Sequence, residues 1–99
     1  MSDYQKMTDE LARRDVLIEL SRLPSSSLPD EIVKEVLVTF GYQRLTADYV
    51  RAQLRRLEEA GAVTITEVGD KLIATLTQRG LDHVRRAIRI DGIAAPLLG

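Results

Sequence analysis

The chain has 99 residues, which suits one domain, with 44% apolar residues, 29% charged residues and a net charge of −1, so a strongly basic nucleic-acid binder is excluded. It contains no cysteine, which excludes disulfides, thiolate metal sites and a cysteine nucleophile. With three Tyr, one Phe and no Trp, the core has to be aliphatic, and no apolar run approaches the roughly 20 residues that span a bilayer.

The first helix is predicted over Asp9–Leu23. Leu11, Leu17, Ile18 and Leu20 recur at helical spacing, Thr8 is a capping residue and Pro24 ends the run. The stretch upstream, MSDYQKMTDELARR, is polar and mixed in charge, so it is not a signal peptide, and a cytoplasmic protein is expected. SSSLP reads as a loop. A second helix is predicted over Pro29–Phe40, with Pro29, Asp30 and Glu31 favouring its first turn. Its buried stripe is Ile32, Val33, Val36, Leu37 and Phe40, and Gly41 stops it.

Thr46–Ala60 follows as a third helix with Thr46 as N-cap. Ala47, Val50, Leu54 and Leu57 face inward, which turns Asp48, Ala52, Arg55 and Glu59 outward and puts Tyr49, Arg51 and Arg56 on the flanks. Val63–Thr66 and Lys71–Leu76 are rich in β-branched residues and flank a turn at Glu67–Asp70, so they predict a hairpin. Thr77 caps a fourth helix over about Gln78–Ile90, with Leu81, Val84, Ala87 and Ile88 inward. The tail, residues 91–99, is apolar but carries Gly and Pro, and it packs either across the domain or onto a second copy.

The predicted order is helix-helix-helix-strand-strand-helix: a mainly α single domain with a two-stranded β-hairpin, the arrangement of a winged helix-turn-helix. The segment from Leu45 to Val63, LTADYVRAQLRRLEEAGAV, resembles the recognition-helix region of winged-helix regulators of the ArsR, MarR and PadR kind. ATLTQRGLD at Ala74–Asp82, RDVLIEL at Arg14–Leu20 and FGY at Phe40–Tyr42 extend that likeness. Together, about Arg13 to Pro96 is similar to small ArsR-like winged-helix proteins encoded by Mu-like phages and prophages. The resemblance implies a DNA-binding transcriptional regulator in the cytoplasm of a bacterial host. Two features depart from it. The ArsR cysteine metal site is absent, and the hairpin turn carries Glu67 and Asp70 against a single Lys71, the wrong sign for phosphate.

The charges are uneven. Arg44–Arg56 holds four Arg and one Asp, and Arg79–Arg89 holds four Arg, one His and one Asp. For double-stranded DNA, the expected contacts are Arg44, Thr46, Tyr49, Arg51, Ala52, Arg55, Arg56 and Lys71, with the third helix in the major groove. Useful specificity there needs two copies. A homodimer interface is expected at Met7, Leu11, Ile90, Ile93, Leu97 and Leu98, apolar residues in excess of one small core. The alternative is a winged helix that contacts proteins and not DNA, motivated by the net charge, the acidic turn and the apolar tail. Gln53 is expected to be semi-exposed and His83, the single histidine, a surface residue. No metal, cofactor or membrane partner is expected, and no catalytic motif appears, so an enzyme is not expected.

Overall fold

A computed structural model describes residues 2–97 of the chain. Four helices and a three-stranded antiparallel sheet follow one another as α1 (Asp3–Ser21), β1 (Ser27–Pro29), α2 (Asp30–Thr39), α3 (Ala47–Glu59), β2 (Val63–Val68), β3 (Lys71–Leu76) and α4 (Gln78–Val84). The two-stranded expectation is therefore corrected: SLP, within the predicted loop, is an edge strand. Ser27, Leu28 and Pro29 stand opposite Thr75, Ala74 and Ile73, and β3 lies at the centre of the order β1-β3-β2. The Ser27 and Thr75 hydroxyls meet at 2.7 Å, and Pro29 needs no ladder donor at an edge. Pairing with β3, not local propensity, makes this strand.

The hairpin forms where expected, but β2 runs two residues further, to Val68, and the turn shortens to Gly69–Asp70, with Val63 opposite Leu76 through Val68 opposite Lys71. Gly69, at φ 61°, supplies the left-handed position its two-residue turn requires. Thr46 caps α3 as expected, its hydroxyl accepting from the Tyr49 N–H at 3.0 Å.

Both ends of the helical layer differ from expectation. α1 begins six residues early because the Ser2 hydroxyl caps it, accepting from the Gln5 N–H. Thr8 instead donates to the Tyr4 carbonyl inside the helix. α4 ends at Val84, not Ile90: the N–H groups of Ala87 and Ile88 both turn to the Asp82 carbonyl, and Arg86 adopts φ 65°. The chain then folds back across the domain, where the Ala94 N–H reaches the Glu10 carbonyl of α1.

The core is aliphatic, as composition required. Val16, Leu17 and Leu20 of α1 meet Val33 and Leu37 of α2, Val50, Leu54 and Leu57 of α3, and Ala74 of the sheet. Ile90 and Ile93 join the same cluster. Both were expected at a dimer interface, and the structure corrects this: the returning segment buries them in the chain's own core. Ile32, Phe40 and Ile88, expected inside, are exposed.

Candidate functional site

The solvent side of α3 and the hairpin is built from ion pairs. Arg51 Nε lies 3.0 Å from Asp30 Oδ2, off hydrogen-bond alignment, while Arg51 Nη2 donates to the Asp70 carbonyl in the hairpin turn. One arginine thus fastens α3 to the start of α2 and to the turn. Arg55 bonds Glu58 at 3.0 Å and Glu67 of β2 at 2.5 Å. These hydrogen bonds, Glu58 first, raise its pKa further above the ordinary arginine value. Arg56 lies 3.7 Å from Glu59, and Lys71 lies 3.9 Å from Glu31. The four expected cationic contacts on α3 and the hairpin therefore each have a carboxylate partner. Asp48 and Asp70 add negative charge that these cations do not offset.

The remaining expected DNA contacts differ in their availability. Arg44 and Thr46 are exposed before α3, and Ala52 is exposed on it. Tyr49 is half-buried, and its hydroxyl donates inward to Asp9 of α1, away from any phosphate. Gln53 is buried rather than semi-exposed, its carbonyl oxygen accepting from Arg13 Nε at 2.8 Å.

A second feature lies on the other side of α3's first turn. A groove of about 960 Å³ runs between the N-terminal half of α1 and the α2–α3 connection. All four aromatic residues of the chain, Tyr4, Phe40, Tyr42 and Tyr49, line it, with Leu11 and Leu45. Tyr42 donates to Asp15 at 2.6 Å and Tyr49 to Asp9, so both rings are fixed from behind. Burial first, and then these hydrogen bonds to carboxylates, push both phenols well above the ordinary tyrosine value. Tyr4 and Phe40 are exposed at 73% and 43%. Among the charged side chains lining the groove, Arg14 is paired with Asp15 at 3.0 Å, which leaves Arg44 uncompensated among the described residues. No signal in the sequence points to this groove: Phe40 reads as part of a buried stripe, and the lining comes from separate stretches of the chain.

Of the expected dimer residues, Met7 and Leu97 are exposed, Leu11 is half-buried in the groove wall, and Leu98 lies outside the described residues. His83, expected at the surface, is 1% exposed. The segment that folds back after α4 covers it. The Ile90 N–H donates to its Nδ1 at 3.1 Å, so Nε2 carries the proton and donates to the Ala94 carbonyl at 2.9 Å.

Among the described residues, no group of three or more His, Cys, Asp or Glu is placed to hold a metal ion, and no helix is long and apolar enough to cross a membrane. No protein-family model, curated protein or solved structure matches the chain.

Proposed function

We propose that the chain is a winged helix-turn-helix module, of the small ArsR-like kind of Mu-like phages and prophages, that works in the cytoplasm by docking a protein partner in the aromatic groove. A short strand after the first helix and a hairpin after the third support the fold assignment, as does a third helix that starts on a capping threonine. The observation that carries the function is the placement of every aromatic side chain along one open groove, Tyr42 and Tyr49 backed against a buried cluster that is itself aliphatic. Aromatic and arginine side chains dominate the energetic centres of protein interfaces. Tyr42 and Tyr49, held by hydrogen bonds to α1, lose little freedom on binding. The fitting partner is an apolar segment that carries a carboxylate to meet Arg44.

A second reading, a DNA-binding regulator that acts as a homodimer through α3, is favoured by one observation. The ion pairs of Arg55 and Arg56 are solvent-exposed, and exposed pairs contribute little to stability, so phosphate can displace them. Against it stands the excess of carboxylates that stay on the same face.

One comparison separates the two. Immobilised wild type, a Tyr4→Ser/Phe40→Ser pair and Arg55→Glu are challenged with extract from the native cell. Protein capture is expected to fall at least severalfold for the groove pair and to persist for Arg55→Glu. Both groove positions are exposed, so the fold tolerates the change. DNA captured by wild type and lost by Arg55→Glu, with protein capture indifferent to the groove pair, contradicts the proposal in favour of the second reading.

A further inference from the structure

We propose that Arg85, Arg86 and Arg89, on the segment that folds back after α4, form a site for the phosphate backbone of nucleic acid. It goes beyond the protein-docking reading and uses none of the residues that line the groove. The cations of α3 and the hairpin are tied to acids, whereas these three exposed arginines have no carboxylate within 4.0 Å among the described residues. The nearby acids are turned elsewhere. Asp82 accepts from Gln78 Nε2 at 2.8 Å, and Asp91 lines depressions with Arg13 and Arg56. The uncompensated positive charge of this region therefore collects within five residues.

The segment that carries it is held in place. The Arg86 N–H bonds the His83 carbonyl at 3.1 Å, and the Ala87 N–H bonds the Asp82 carbonyl at 2.8 Å. Beyond them, Ile90 and Ile93 are anchored in the core, and both nitrogens of buried His83 clamp the returning strand of chain. Binding therefore costs little backbone ordering. Arg86 and Arg89 share a depression of about 300 Å³ with His83, Ala95 and Pro96. Guanidinium groups present paired donors that match phosphate oxygens. Ile88, 38% exposed, is the one large aliphatic between these arginines. That is too little for the apolar centre of a protein interface or for the broad apolar face that seats a helix on a membrane.

The test is a salt titration of fluorescence anisotropy with a short duplex of random sequence. Three neutralised phosphates give a slope of log affinity on log salt of about −2.7, roughly a 40-fold loss between about 50 and 200 mM. Wild type is expected to show that slope. The triple variant Arg85→Gln/Arg86→Asn/Arg89→Gln, with Asn chosen to tolerate the left-handed backbone, is expected to lose about tenfold or more in affinity and to flatten the slope. If that variant fails to fold, the double variant Arg85→Gln/Arg89→Gln leaves Arg86 in place and is expected to shift the slope to about −0.9. Arg55→Gln/Arg56→Gln, whose ion pairs are solvent-exposed, has the same net charge as the double variant and is expected to bind as wild type does. The proposal is overturned by absent wild-type binding at low salt, by equal losses in the two double variants, by displacement with an equal concentration of inorganic phosphate, or by tighter binding to phosphatidylserine vesicles than to duplex.

Discussion

Tyr42 and Tyr49 each have one face to the groove and a hydroxyl bonded to a carboxylate of α1, Asp15 and Asp9 respectively. Both folded pKa values lie above the ordinary value of about 10. Below that pH the phenols are protonated in the folded and unfolded chains alike, and their full contribution to stability is present. Above it, the unfolded chain loses protons that the folded chain keeps, so stability falls as pH rises. Urea midpoints are expected to be flat from neutral pH to about 10 and then to drop. Replacing both residues by Phe should shallow that alkaline drop, and an equally steep drop in the double variant would show that other groups cause it. Neither role was legible in the sequence. Tyr49 sits on the flank of a helix that reads as solvent-facing, and its partner stands 40 residues away.

At the scale of elements, the periodic parts of the chain were legible and the pieces without a period were not. α2, α3 and the hairpin lie close to their predicted ranges because apolar spacing, Thr46 and Gly69 agree with one another. β1 is three residues long and contains proline, so only its pairing with β3 reveals it. The first two turns of α1 carry no buried stripe, and the Ser2 cap alone extends the helix through them. The spacing of Leu81, Val84 and Ile88 extends the predicted α4 to Ile90, although Ile88 is exposed and the helix ends at Val84. What stops α4 and seats the returning segment is His83, whose ring bonds both Ile90 and Ala94. His83→Ala leaves the Ile90 N–H buried without a partner and is expected to cost about 1–3 kcal/mol of unfolding free energy. Amide exchange at Ile90 and Ala94 should accelerate more than at Leu54 in α3. Uniform acceleration across the chain would mean that the clamp is not local.

Across the whole molecule, composition foretold an aliphatic core and left open where the few aromatics go. The groove draws on residues 4–15, 40–45 and 49, and no sequence spacing links these stretches. The ion pairs that occupy the α3 arginines cross from α3 to α2 and to β2, which a helical projection of α3 alone cannot display. The runs of arginine were legible in the sequence, whereas the pairing that separates the neutralised run from the uncompensated one was not. On the proposed function the groove, and not the outer face of α3, meets the partner. The most direct measurement places a photo-crosslinking phenylalanine analogue singly at Tyr4, at Phe40 and at Ala52, all exposed positions, in the native cell. Discrete protein adducts at Tyr4 and Phe40, with no nucleic-acid adduct at Ala52, are the predicted result. Nucleic-acid adducts at Ala52, with none at Tyr4 or Phe40, would contradict it.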